Sequence, residues 1–359
     1  MADFKNNYNW PHTLSYDADV TIVCTERGPG KTYGIRYLAI NDWIERGYRC
    51  VEVCRTKDEV KAVSDGYHRK LVDLGEFPEY VFKSDSRYMY IARKPKEGER
   101  PDWEVYGYFV ALTLFQTVKK KTYSRVRKII MDEAAIDTAD RYHGYLPREF
   151  YLMRNVINSC SREREQDKEL KDAIEPRLYL LMNAVDLLNP YFTAYRIDRE
   201  PKAGYSWHGN KTCILHYMPD TAKGEANLTG TVAGRMTLAS GEVDTSYSAK
   251  FVTPGADYIA KKPPRAKFSF GIVYKGEQLG VWLDSTEGYY YVNHQVPNNT
   301  QAPIYALTAD DGRINYVIAK RSQKALKTFT ELYYMGIVRY DTHATRGAFM
   351  RAMSMFGIT

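Results

Sequence analysis

The sequence predicts an α/β fold in which a larger domain built on a mostly parallel sheet is followed by a smaller second α/β domain. Three observations carry this. A short apolar strand, Val20 to Cys24, feeds the glycine-rich turn Arg27-Gly28-Pro29-Gly30-Lys31-Thr32 and a helical stretch from Thr32 to Arg46. Further on, the apolar run Ile129-Ile130-Met131 ends in Asp132-Glu133. Around both, strand-like and helix-like segments alternate, as a mostly parallel sheet requires.

Each element has its reason. Strand, glycine-rich turn and helix aim backbone N–H groups and a helix N-terminus at a phosphate. Gly28 and Gly30 let the backbone curl around it without a Cβ in the way. Lys31 is expected to reach the β- and γ-phosphates of ATP, and Thr32 to place its hydroxyl on Mg²⁺. Arg27, Pro29 and Tyr33 complete the cradle. The usual pattern begins with glycine, and Thr25 stands there instead. Tyr48 to Arg55 reads as a strand and 57–73 as helix; Tyr88 to Ala92 and Tyr108 to Leu112 are further strands. Val126 to Met131 would leave Asp132 and Glu133 at a strand's C-terminal end, where open α/β sheets bind ligands. Asp132 suits Mg²⁺ held through water, and Glu133 suits polarisation of the attacking water. Segment 146–164 reads as helix, with Arg162 and Arg164 at its end. They either solvate that end or reach into a neighbouring subunit's nucleotide. Arg177 to Met182 runs into Asn183, which either senses the γ-phosphate or attacking water, or caps the strand.

Composition sets the frame. The chain has 359 residues, too many for one small core. The expected division is 1–200, a linker at 201–215, and a second domain at 216–359. The start MADFKNNYNW lacks a basic region followed by an apolar one, so no signal peptide is expected. No apolar run approaches a membrane span, so no membrane partner is expected either. Cys24, Cys50, Cys54, Cys160 and Cys213 are scattered, which fits a reduced cytoplasmic protein. The formal net charge is +7, and residues 201–359 hold 18 Lys/Arg against 12 Asp/Glu, that is +6. The second half is therefore the side expected to face a polyanion, with solubilising charge as the alternative.

In that half Thr221 to Ala233 looks helical. Phe268 to Tyr274 and Leu279 to Leu283 flank Lys275-Gly276-Glu277-Gln278 as a hairpin, Tyr289 to Val292 adds a strand, and Arg346 to Met355 a terminal helix. The basic loop containing Lys261, Lys262, Arg265 and Lys267 is the candidate for contact with a nucleic-acid backbone, which positions without reading sequence. A solvated loop stiffened by Pro263 and Pro264 is the plainer reading. Asp284, Asp310 and Asp311 are the acidic residues a two-metal nuclease would need, but they show no convergent pattern.

Taken together, the chain resembles the DNA packaging ATPases, or encapsidation proteins, of small short-tailed bacteriophages with protein-capped linear genomes. The resemblance rests on Gly28 to Gly34, Gly107 to Leu112, Ile129 to Glu133, Asn183-Ala184-Val185 and Asn189-Pro190-Tyr191-Phe192. It continues at Val232-Ala233-Gly234, Gly280-Val281-Trp282 and Gly336 to Arg339. It implies a RecA-like ATPase domain with a catalytic glutamate, then a ribonuclease-H-like domain that no longer cuts. It places Arg162 as an arginine finger acting in trans, with Arg164 as fallback, and Arg55 near the nucleotide or subunit boundary. It implies a homo-oligomeric ring of about five copies at the prohead portal in the host cytoplasm, threading double-stranded DNA; some relatives add a docking RNA. A nuclease-competent terminase and a helicase-like ATPase are the rivals, and a nucleotide-binding protein without nucleic acid is the most distant.

Overall fold

The structure is a computed structural model. It describes residues 8–26, 28–114, 123–136, 145–146, 148–161, 175–183, 187, 189–197, 200–219, 226, 229–240, 258–320, 323–353 and 356. The chain divides into two compact units, Met1–Ile197 with Pro201–Val252, and Thr253–Thr359 with Asp198–Glu200.

The first unit is a nine-stranded sheet. Its strands are β1 (Val20–Thr25), β2 (Arg49–Cys54), β3 (Tyr80–Ser84), β4 (Tyr88–Arg93), β5 (Glu104–Ala111), β6 (Val126–Met131), β7 (Arg177–Met182), β8 (Gly204–His208) and β9 (Cys213–Met218). They lie in the order β3-β4-β5-β2-β6-β7-β1-β9-β8. From β5 to β9 all neighbours are parallel, and antiparallel pairs close both edges. The strand ending at Asn183 thus lies between the one feeding the glycine-rich loop and the one ending in Asp132-Glu133.

Successive side chains of a strand point to opposite faces, and here both faces are covered. Ile22, Cys24, Val51, Val53, Ile129, Leu178 and Leu180 enter one core, and Val23, Cys50, Cys54, Ile130, Tyr179 and Leu181 the other. The second of these cores is closed by α1 (Trp10–Leu14), α2 (Lys31–Arg46), α3 (Lys57–Ser64) and α4 (Arg69–Asp73), which bring Trp10, Ile35, Ile40, Val60 and Leu71. The first takes Met153 and Val156 of α5 (Glu149–Ser161) and Phe192 of α6 (Pro190–Ala194).

Two expectations need correction. Residues 201–215, read as a linker, instead supply β8 and the first half of β9; the two pair with each other, and β9 pairs with β1. Burial explains it: Cys213, Ile214 and Leu215 are fully enclosed, so the segment belongs to the first core. The helix expected over 57–73 breaks into α3 and α4, with Asp65 to His68 forming the turn between them. Of the helix expected over 221–233, most lies outside the described residues; α7 spans Val232–Ser240.

The second unit holds a six-stranded sheet of β10 (Lys267–Tyr274), β11 (Glu277–Asp284), β12 (Tyr289–Asn293), β13 (Ile304–Ala306), β14 (Val317–Ile318) and β15 (Val338–Tyr340). Its order is β14-β13-β10-β11-β12-β15. β10, β11 and β12 form an antiparallel meander; β13 runs parallel to β10, β14 to β13, and β15 to β12. Helices α8 (Lys324–Tyr334) and α9 (His343–Met353) pack Leu326, Phe329, Phe349 and Met353 against Phe270, Ile272, Val281 and Val292. The hairpin stands where the sequence put it, and the terminal helix begins three residues early.

Candidate nucleotide site

Three parallel strands end side by side and deliver the site. β1 runs through Glu26 into the glycine-rich turn, where Gly28 (φ 109°) and Gly30 (φ 83°) take backbone angles that L side chains rarely adopt. Gly30 is the N-cap of α2, so Lys31 and Thr32 open that helix. β6 ends at Asp132 and Glu133, and β7 at Asn183. Gly28, Gly30, Lys31, Thr32, Tyr33, Asp132, Glu133 and Asn183 line one cavity of about 240 Å³, together with Lys70 from α4.

Lys31 Nζ donates to Asn183 Oδ1 at 2.9 Å and to the carbonyls of Glu26 at 3.2 Å and Thr25 at 3.4 Å. Its ammonium is therefore buried and already oriented. Thr32 Oγ1 donates to Asp132 Oδ2 at 2.8 Å, and the Glu133 N–H donates to Asp132 Oδ1 at 3.0 Å. A hydroxyl and a carboxylate meeting on a cavity wall are the hard oxygen ligands that Mg²⁺ takes, usually one or two protein oxygens with substrate phosphate and water. The residues thus fit a Mg²⁺–nucleotide. Glu133 has φ 51°, an uncommon angle for a side-chain-bearing residue. Beneath, Arg36 pairs with the buried Glu52 at 2.5 Å, and the Tyr67 hydroxyl donates to the same carboxylate at 3.0 Å. Burial pushes Glu52 up from the usual carboxylate range, while Arg36 pulls it down.

Two features escaped the sequence. The N-terminal segment straps the loop: the Tyr8 N–H donates to the Pro29 carbonyl at 2.6 Å and Trp10 Nε1 to the Lys31 carbonyl at 2.9 Å. Tyr8 also bonds His216 Nδ1 of β9 at 2.6 Å, tying loop, strap and edge together. Lys70 is the other. Both reach the site through tertiary packing that no local pattern signals.

Arg55 does not line the cavity. Its guanidinium is buried, paired to Glu149 at 3.0 Å, and donates to the carbonyls of Glu133 at 2.9 Å and Ala134 at 2.7 Å. Glu149 also accepts from the Tyr191 hydroxyl and the Leu146 N–H, each at 2.9 Å. Arg55 is thus a strut beneath the backbone that follows Asp132. Arg27, Arg162 and Arg164 lie outside the described residues.

The basic loop of the second unit is less open than its composition suggests. Arg265 donates to the buried Asp284 at 2.8 Å and to Glu287 at 2.5 Å, which compensates its charge. Lys262 sits 4.4 Å from the Trp282 ring centre, and Lys261 and Lys267 are exposed. Asp311 accepts both N–H groups of the β10–β11 turn, Lys275 and Gly276, at 2.7 Å each. Among the described residues no group of three His, Cys, Asp or Glu is placed to hold a metal, and no helix is long and apolar enough to cross a membrane.

A parallel sheet presenting lysine and threonine on a glycine-rich loop, opposite an acidic pair, defines a phosphate-loop nucleotide-binding protein. The chain belongs to the podovirus DNA encapsidation protein (Gp16) family, whose model matches residues 2–355. DNA packaging is the function that membership carries. The DNA packaging proteins of Bacillus phages phi29 and PZA are each 27% identical over 342 residues, spanning 94% of both chains. Among solved structures, the bacteriophage Phi-29 viral genome packaging motor assembly matches at 24% identity and TM-score 0.63, covering 98% of this chain and 99% of that one. The Phi-28 gp11 DNA packaging motor matches at 18% identity and TM-score 0.69, covering 97% of each. These two likenesses are of fold.

Proposed function

We propose that this chain is the ATP-hydrolysing subunit of a packaging motor that drives double-stranded viral DNA into a preformed prohead. The observation that carries it is the convergence of Lys31, Thr32, Asp132, Glu133 and Asn183 on one cavity, in a chain of the encapsidation family. Lys31 binds the β- and γ-phosphates, and the turn around Gly28 and Gly30 offers them backbone N–H groups. Tyr33 and Lys70 flank them. Thr32 and Asp132 hold Mg²⁺, which when bound offsets charge on the phosphates. Glu133 orients and polarises the attacking water, and Asn183, bonded to Lys31, sits where it can register the γ-phosphate. Arg162, or Arg164 two residues on, completes a neighbouring copy's site in trans. That division of labour needs a ring, of about five copies by family resemblance, docked at the portal in the host cytoplasm, with a structural RNA in some relatives.

The second unit is read as a ribonuclease-H-like domain that does not cut. In its favour, three antiparallel strands are extended by two parallel ones on the side of the first, the order β12-β11-β10-β13-β14. Asp284 is held by Arg265 and Asp311 by the hairpin turn, so neither carboxylate is free to converge on a metal. Lys261 and Lys267 remain the exposed charges of the basic loop for a phosphate backbone.

The test is steady-state ATP hydrolysis with and without duplex DNA and empty proheads. Stimulation by both partners, lost in Glu133→Gln and Arg162→Ala, is expected. Hydrolysis indifferent to both, or surviving in Glu133→Gln, would overturn the motor reading.

A further inference from the structure

A second cavity, of about 230 Å³, lies wholly within the second unit at the far edge of its sheet. Strand β15 is the last strand there, and Ile259 bridges to Tyr340 alongside it. Tyr258, Tyr333, Tyr334, Tyr340, Gly336 and Arg346 line the cavity, and among the described residues no carboxylate does.

One lining group of this cavity, the Tyr340 hydroxyl, stands out. Tyr340 is 1% exposed, and its buried hydroxyl has no hydrogen-bond partner among the described residues. A buried polar group without a partner is costly, so it needs an explanation. Tyr333, Arg346 and Tyr258 all act electrostatically on that hydroxyl, and burial pushes its pKa up, so it stays a neutral donor. Arg346 bonds the Tyr333 phenol, whose oxygen accepts from the guanidinium and leaves its own hydrogen to donate. Arg346 lies 5.4 Å from the Tyr258 ring centre, and Arg339 lies 5.2 Å from the same ring. Donors and cationic charge meet at a site walled by four aromatic rings.

Each ligand class can be weighed against that wall. An ammonium in an aromatic cage is repelled by Arg346. A bare oxyanion satisfies the donors but leaves the ring faces idle. An anion joined to a flat ring uses both, with phosphate oxygens on the guanidinium and phenols, and a base stacked on tyrosine. A duplex keeps its bases inside the stack and cannot offer one. We propose that this cavity binds a single nucleotide with its base unstacked. An unpaired stretch of nucleic acid and a free mononucleotide both present that chemistry. This site is separate from the ATP cavity and does not depend on the motor reading.

The experiment uses the full chain in EDTA without ATP. Short fluorescein-labelled oligothymidylate and oligouridylate are titrated in, with a blunt duplex in parallel and AMP as competitor. The variants are Tyr334→Ala, at a residue 62% exposed, and Arg346→Gln. DNA-independent ATP hydrolysis, measured separately with Mg²⁺, reports that each variant is folded. Both variants are expected to weaken single-strand binding about tenfold, Tyr334→Ala by loss of one base–aromatic stack and Arg346→Gln by loss of the guanidinium–phosphate contact, and to leave duplex binding unchanged. An iodouracil-bearing strand is expected to crosslink to Tyr258, Tyr333 or Tyr334 in the unsubstituted protein. Displacement of the strand by AMP assigns the pocket to free nucleotides, and failure of AMP to compete assigns it to strands. Oligonucleotide binding that ignores both substitutions, equal loss of duplex binding, or crosslinks confined to the first unit would overturn the proposal.

Discussion

Replacing Arg55 by methionine tests how the Glu133 loop is held. The substitution keeps an unbranched apolar side chain out to the position of Nε and removes one buried cation. Glu149, 1% exposed, then keeps only the Tyr191 hydroxyl and the Leu146 N–H among its described donors, and the carbonyls of Glu133 and Ala134 lose theirs. Breaking a buried ion pair from one side costs about 3–5 kcal/mol, because the remaining charge stays buried without compensation. The two freed carbonyls lie within that figure and are not added to it. Glu149→Leu alone strands the Arg55 guanidinium and should cost about as much. The double variant Arg55→Met/Glu149→Leu removes both charges and should recover at least about 2 kcal/mol relative to the sum of the singles. Urea unfolding of the four proteins closes the cycle. Function gives an independent readout. The cavity lining is untouched, so nucleotide affinity should hold, while turnover falls at least about tenfold as Glu133 loses its backbone anchor. A cost below about 1 kcal/mol for Arg55→Met, or strictly additive singles, would refute the strut.

Three further outcomes are expected. Trp10→Phe deletes the indole bond to the Lys31 carbonyl and leaves a small void at a fully buried position; a loss of about 2 kcal/mol and a raised KM for ATP should be seen in thermal unfolding and kinetics. Burial, with Arg36 adding to it, holds His68 down to about 4. Since an unfolded histidine titrates near 6.5, this stability is fully present above that pH and is lost as pH falls towards 4, at most roughly 3 kcal/mol. His68→Gln, which can still bond the Tyr106 hydroxyl, should flatten that acid limb in denaturant midpoints taken from pH 7 to pH 5, and coincident slopes would refute the assignment. Lys70→Gln should raise the dissociation constant for ATP several-fold with little change in kcat, measured by calorimetry and initial rates; an unchanged affinity would remove Lys70 from the phosphate site.

Local chemistry was legible and distant pairing was not. The glycine-rich turn announces itself because its backbone demands glycine where Gly28 and Gly30 stand. Asp132 and Glu133 are readable because an apolar run must end where its carboxylates can meet water. Strands β8 and β9 were not, because Pro201, Lys202 and Gly204 give the approach to them a linker's composition, and only pairing with β1 makes the segment a sheet edge. Arg55 closes a strand as any exposed arginine would. Its partner Glu149 lies 94 residues on, and nothing in either neighbourhood signals the pair. Lys70 and Trp10 reach the site across helix packing, which periodicity describes only as apolar faces.

The position of β9 has a mechanical consequence. It is laced to β1 from Val20↔Cys213 to Thr25↔Met218 and to β8 along its other side. Tension arriving from the chain beyond Met218 and directed along the strand loads those bonds in shear, so they resist together instead of peeling one at a time. The last rung, Thr25 opposite Met218, is the residue before Glu26, whose carbonyl holds the Lys31 ammonium. A pull of that kind is therefore delivered stiffly to the cation at the mouth of the glycine-rich loop, the Lys31 ammonium.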